Sequence, residues 1–380
     1  MSGAMLQRKL SLFIAAGLLV CITLLFQANA RSAQLLILGL ALGITLYHAS
    51  FGFSGAYRRF IVDRDMSGIT AQLIMLAVAI IGFALLLSEG DLRGAVAPVG
   101  MGMITGAFLF GIGMQVAGGC ASGTLFAAGG GSLRMMVVLV FFCVGAFVGS
   151  LHLSWWKALP GIGSVSFGHL WGWPIAVAVQ LGALGMIYMV LRRMGGWHAP
   201  DFRNSDASFS WKTLCHGPWS LVSAGIALAL LNVATLVTAG HPWSVTWGYT
   251  LWGAKAAVIM GWESSGSDFW QGRFGQAALA RSIFHDSVSI MNLGILAGAA
   301  LAASMAGRLQ FKLILSFPQF LSAMAGGLIL GYGARLAYGC NIGAFFSGVA
   351  SGSLHGWVWI MAAALGNIAT IRAMRHFTTK

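Results

Sequence analysis

One helix-breaking motif occurs twice in this chain, and it limits the possible folds more than any other feature. The first copy reads Gly111-x-Gly113-x-x-x-Ala117-x-Gly119-Cys120-x-x-Gly123-x-x-Phe126. The second reads Gly331-x-Gly333-x-x-x-Ala337-x-Gly339-Cys340-x-x-Gly343-x-x-Phe346, at a constant offset of 220 residues. The offset becomes 221 further on, where Ser132-Leu133 matches Ser353-Leu354 and Gly145 matches Gly366. Each copy begins in an apolar run and ends in a glycine-rich stretch that cannot continue a helix. A duplicated apolar chain with helices broken at matching places predicts a membrane protein of internal repeats, with its site where the copies meet.

Composition agrees. The chain is 58% apolar and 8% charged, against about 25% charged in soluble domains. That predicts an all-α polytopic membrane protein. Apolar stretches long enough to cross a bilayer fall near 10–28, 34–48, 67–88, 95–118, 134–156, 172–192, 217–238, 287–306, 316–338 and 356–376, which gives about ten helices. Four segments are too short or too rich in glycine to cross: 49–60, 120–132, 242–254 and 340–353. Non-helical backbone at membrane depth persists only where protein or a cavity satisfies it. These four therefore read as re-entrant half-helices lining the centre of an hourglass-like bundle.

The net charge of +13 sits mostly at helix ends, as the positive-inside rule requires, and does not indicate a nucleic-acid partner. The clusters Arg8/Lys9, Arg58/Arg59/Arg64, Arg192/Arg193/Arg203/Lys212 and Arg372/Arg375/Lys380 are expected to be cytoplasmic. Both termini are then inside, and Arg273 and Arg281 fall outside. Residues 1–193 form a first membrane repeat, 194–216 a cytoplasmic linker, and 217–380 a second repeat of inverted topology. The N-terminus has signal-like flanks, Arg8-Lys9 and Ala28-Asn29-Ala30, but the run between is long for a signal core, which favours a retained helix.

Of five cysteines, Cys21 and Cys143 lie in apolar helices as small hydrophobes and Cys215 lies in the linker. Only Cys120 and Cys340 share a repeated context. Each follows a glycine, Gly119 or Gly339, at the break itself. A thiol is a weak donor and a soft, polarizable group. Two of them at converging tips suit a soft, sulfur-bearing solute in a narrow throat. Ser54 and Arg58, in the 49–60 segment, offer a hydroxyl and a charge near the inner mouth, and Asn341 follows Cys340 directly. Arg335 is an intramembrane cation, either functional or satisfied by carbonyls; Gln115 takes its place in the first copy. His48, His285 and His355 read as interfacial. No acidic residue sits mid-helix, which argues against a carboxylate ion relay. No Walker motif, zinc-ligand spacing or haem-ligating pair occurs, so no metal or other cofactor is expected.

At these residues the chain resembles the YeeE/YedE family, whose members include thiosulfate importers. The resemblance covers nearly the whole chain. It is most specific over Ala117-Gly118-Gly119-Cys120-Ala121-Ser122-Gly123-Thr124 and Gly333-Ala334-Arg335-Leu336-Ala337-Tyr338-Gly339-Cys340-Asn341-Ile342-Gly343. It implies a non-enzymatic inner-membrane permease with an hourglass fold, in which midline cysteines, here Cys120 and Cys340, contact a passing sulfur anion through thiol hydrogen bonds. It also implies a small cytosolic sulfur-carrier protein as partner, with the Arg58/Arg59 face and the linker as docking surfaces. One position departs from the family pattern R-F-C-x-T-G-x-F-R: Gly52 stands in place of its cysteine. Two other readings stay open on the residues alone. One is a pore for another small solute, indifferent to the thiols. The other is a thiol oxidoreductase, which needs the two cysteine Cα atoms within about 7 Å.

Overall fold

The computed structural model describes residues 2–196, 211–310 and 314–378. Most of the 194–216 linker, and Lys380, lie outside them. Ten helices among the described residues are long and apolar enough to cross a membrane. Lipid offers no hydrogen bonds, so each apolar run must satisfy its own backbone by becoming helical. The principal helices are α1 (Ser2–Ala28), α2 (Ala30–Ala49), α3 (Phe53–Asp63), α4 (Ser67–Leu87), α5 (Met101–Ala117), α6 (Ala121–Gly129) and α7 (Leu133–Leu151). They continue with α8 (Trp173–Arg193), α9 (Leu221–Ala239), α10 (Thr246–Ile259), α11 (Ser287–Met305), α12 (Phe317–Leu336), α13 (Ser347–Ala350) and α14 (Leu354–Thr378). A π-helical stretch, Asn341–Phe346, leads directly into α13.

Two expected spans are shorter than read. The helix expected from residue 95 starts at Met101, because Pro98–Gly100 is a strand paired antiparallel with Gly161–Ser164. The span expected to reach 156 stops at Leu151, and Leu153–Lys157 forms a separate short helix. The polar stretch before α11 holds two short helices, Asp268–Gln271 and Arg273–Ala280.

Helices from the two halves of the sequence interleave around one core: α12 packs on α7 and α5, α11 on α2, α14 on α5 and α9 on α4. Glycine makes the closest crossings. A Cβ on Gly331 would lie 2.2 Å from the Phe142 carbonyl oxygen, and one on Gly145 would lie 2.2 Å from that of Leu328. The α5–α14 crossing repeats the pattern: Gly111 meets the Ala363 carbonyl and Gly366 that of Phe108, each at 2.2 Å. These are the close backbone approaches that small residues permit between membrane helices.

The irregular turn before α10 is buried yet well satisfied. Trp243 and Val245 are fully enclosed. Asn232 of α9 accepts from the Trp243 N–H at 2.7 Å, Ser347 donates to the Trp243 carbonyl at 2.9 Å, and Asn292 of α11 donates to the Val245 carbonyl at 2.8 Å. Three buried side chains thus stand in for the missing helical ladder. His355 and His48, at the helix ends where the sequence places them, are buried in protein at 1% and 5% exposure. A ring nitrogen of His355 meets the Ser353 hydroxyl at 2.7 Å.

Candidate functional site

Both copies of the motif break their helix at equivalent places. Gly118 ends α5 with φ +78, and Tyr338, its counterpart 220 residues on, has φ +59. A non-glycine residue in this left-handed region costs about 1 kcal/mol or more. Gly339 then follows at φ +152, where a Cβ would also stand 2.7 Å from the Ala344 nitrogen. In the first copy, Gly119 lies buried against Met135 and Thr124.

Each break delivers a cysteine to the start of the next short helix. Cys120 is the N-cap of α6, its sulfur accepting from the Gly123 N–H at 3.4 Å. Cys340 caps the Asn341–Phe346 stretch, its sulfur accepting from the Ile342 N–H at 3.4 Å. Both thiols are free and about 1% exposed.

Contacts between the short segments gather the surroundings. Tyr249 of α10 donates to the Ala121 carbonyl of α6 at 2.9 Å. The Asn341 amide donates to the Tyr57 hydroxyl of α3 at 3.5 Å, and the Phe53 and Phe345 rings lie 6.4 Å apart. Gly343 backs onto the Ser244 hydroxyl. Asn341 is fully buried, and its Oδ1 has no hydrogen-bond partner among the described residues. Rotating this amide would let Tyr57 donate to Oδ1 and turn the NH2 group toward the unpaired side.

The remaining residues singled out from sequence go elsewhere. Ser54 is buried and donates to the Met114 carbonyl of α5 at 3.0 Å. Arg58 stays exposed on α3, apart from the cysteines. Gln115 donates to Asn367 at 2.6 Å and to the Ser54 carbonyl at 3.4 Å, tying α5 to α14 and α3. Of the two readings of Arg335, satisfaction by carbonyls finds no support: its buried Nε has no hydrogen-bond partner among the described residues. Its guanidinium carbon lies over the rings of Phe269 at 4.3 Å and Trp247 at 5.7 Å. Tyr57, which meets the Asn341 amide, and Tyr249, which meets the Ala121 carbonyl, were not singled out as residues, though the 49–60 and 242–254 segments that carry them were expected to line the centre. Gly52 caps α3 in extended conformation, and a Cβ there would have only the Ser50 carbonyl within reach, at 4.0 Å.

The assembled centre therefore holds two thiols, two phenols and an amide in an apolar wall. Among the described residues, no three His, Cys, Asp or Glu side chains come together as a metal site. Such a centre offers hydrogen bonds and polarizability but no fixed charge.

Comparison with known proteins agrees with this chemistry. The Thiosulfate transporter TsuA of Spirochaeta thermophila is 26% identical, over 87% of this chain and 96% of its own length. The Thiosulfate transporter TsuA of Escherichia coli is 24% identical, over 87% and 91%. The Probable transporter YedE of Escherichia coli is 33% identical over 42% of this chain and 39% of its own. The Sulphur transport family matches residues 48–369. Because that match runs through both broken helices and leaves aside little more than α1, most of α2 and the end of α14, the chain belongs to the sulphur transport family, the YeeE/YedE proteins.

Proposed function

We propose that the chain is an inner-membrane permease that takes up thiosulfate, or a close sulfur-bearing relative, along a central path through Cys120 and Cys340. The observation that carries this reading is the pair of buried free thiols at two matching helix breaks, with the Tyr249 hydroxyl bonded to the carbonyl of the residue that follows Cys120. In this reading the thiols donate in turn to the soft terminal sulfur of the anion. Asn341, with its amide turned, donates as well. Gly119 and Gly339 let the chain turn so that each thiol reaches the path. The positive end of α6 begins at Cys120 and favours an anion there. Ser54, whose one proton goes to the Met114 carbonyl, holds α3 against α5 beside the path rather than binding the anion, and exposed Arg58 sets the charge of the inner mouth.

The four short segments are re-entrant in this reading, and the two repeats have opposite topology with both termini cytoplasmic. The matched crossings α7–α12 and α5–α14 support the repeat, since residues paired by the offset make the same contacts. Exposed apolar side chains of α1, such as Leu12, Phe13 and Leu24, suit a lipid environment. A small cytosolic sulfur carrier would receive the anion at the Arg58/Arg59 face.

The test is uptake of radiolabelled thiosulfate into proteoliposomes. Wild-type protein is expected to accumulate it, and Cys120→Ala or Cys340→Ala, recovered folded, to lose most of the rate. Unchanged uptake in both variants would favour the thiol-indifferent pore.

A further inference from the structure

Arg134 is the second residue of α7 and lies in the first turn of a candidate membrane span. A cation there opposes the dipole of its own helix, and at membrane depth it normally faces a partner or water. No carboxylate pairs with Arg134 among the described residues. Its side chain reaches instead to the first helix break. Nη2 donates to the Val116 carbonyl, in the last turn of α5, at 3.1 Å and to the Ser322 hydroxyl of α12 at 3.4 Å. Nη1 lies 3.2 Å from where a Cβ on Gly118 would stand. Nε is buried without a hydrogen-bond partner. Both bonds thus come from one nitrogen, and the rest of the guanidinium is unused.

Gly118 is exposed, whereas Gly119 and Cys120, directly after it, are buried. The first break therefore has an accessible surface two residues from a thiol, with a guanidinium against it. An unpaired guanidinium is costly in lipid, so water reaches this surface. Ser322 stands five residues past the start of α12 at Phe317, about 7–8 Å along that helix. In the permease reading this is the cytoplasmic end of α12, and the break opens a short way inside it.

The other break pairs the same motif position with a different cation. Tyr338, the counterpart of Gly118, lines a cavity of about 470 Å³ together with exposed Lys157. Arg134 and Lys157 are not counterparts, since the 221 offset pairs Arg134 with His355. Duplication alone does not put a cation at both breaks.

We propose that Arg134 is an anion-binding residue on the inner side of the first break, where it takes the oxygens of a tetrahedral sulfur oxyanion leaving Cys120. The proposal rests on the permease reading and adds the station from which the substrate is released. The polarizable thiol suits the soft sulfur, and the unused N–H groups of the guanidinium suit the oxygens.

The probe is sulfate, which has the oxygens and lacks the terminal sulfur. Its binding to full-length protein in detergent is read by calorimetry in about 0.15 M sodium chloride, where exposed charges are largely screened. Wild type is expected to bind sulfate, and Arg134→Gln to weaken that binding about tenfold or more, the usual weight of a charged hydrogen bond. Arg134→Lys, a point charge without the fork, should fall between the two. Arg281→Gln, which removes an exposed charge, should bind as the wild type does. In proteoliposomes loaded with sulfate, thiosulfate uptake by the wild type should be slower than in vesicles loaded with chloride, and uptake by Arg134→Gln should be alike in both. A merely structural arginine would change the amount of active protein and leave that ratio as it is.

Sulfate binding that is absent from the wild type, or unchanged in Arg134→Gln, overturns the site; where the glutamine variant does not fold, unchanged binding by Arg134→Lys does the same. Equal slowing of wild type and variant by luminal sulfate overturns the release role. A wild type that binds sulfate through Arg134 yet takes up no thiosulfate leaves the site standing and overturns thiosulfate as the cargo.

Discussion

Adding one methyl group at Gly331 tests how far the fold depends on close helix approach. The new Cβ would lie 2.2 Å from the Phe142 carbonyl oxygen and 2.5 Å from the Ala146 nitrogen, where ordinary contact begins at 3.4 Å. Both obstacles are backbone, so no side chain can swing aside, and α12 and α7 must part by roughly 1 Å. Overpacking of this kind costs about 1–3 kcal/mol, and breaking the weak Cα–H···O hydrogen bond adds roughly 0.5–1. Better helix propensity returns about 1 kcal/mol. The net loss expected for Gly331→Ala is about 2 kcal/mol. With roughly 2.1 cal/mol/K of unfolding entropy per residue, that lowers the melting temperature by about 2–3 °C. The control is Gly182→Ala on α8, where nothing lies within 4 Å of the new atom; it should melt at or above the wild-type temperature. Thermal unfolding in a single detergent compares them. Gly145→Ala, Gly111→Ala and Gly366→Ala, facing carbonyls at the same 2.2 Å, should match Gly331→Ala. A Gly331→Ala protein that melts with the Gly182→Ala control would refute the argument.

Two further substitutions probe the turn and the missing thiol. Asn232→Ala strips the buried Trp243 N–H of its acceptor and Ser347 of a donor, so stability should fall by about 1–3 kcal/mol, and equal melting of Asn232→Ala and wild type would contradict this. Gly52→Cys meets open space, so it should fold normally and raise thiosulfate uptake a few-fold below saturation where Gly52→Ala does not. A loss of uptake specific to the cysteine would count against a thiol path.

Hydropathy alone located the spanning helices because lipid leaves an apolar run no other backbone solution. The start of α5 was less legible: what stops the helix short of Val99 is a strand partner some sixty residues later, Gly161–Ser164. The cysteines were visible because the motif occurs twice. Tyr249 was not, since its place beside Cys120 depends on a turn held by Asn232, Asn292 and Ser347 from three other elements. Arg335 was visible as an anomaly, but its aromatic surroundings come from Trp247 and from Phe269, in the polar stretch between α10 and α11.

The way each cysteine caps its helix has a consequence for which solutes can pass. Sulfur lone pairs on Cys120 and Cys340 already receive the backbone N–H groups of Gly123 and Ile342. The Cys120 sulfur also meets the Ser122 hydroxyl at 3.5 Å; with Ser122 donating, what each cysteine has left to offer is its proton. On the proposed path a solute rich in lone pairs would then meet a donor at both breaks, whereas one that must itself donate would compete with N–H groups already in place. On the proposed path, the fold would thus give the centre a polarity without placing a single charge there, and would favour anions by the direction of its hydrogen bonds.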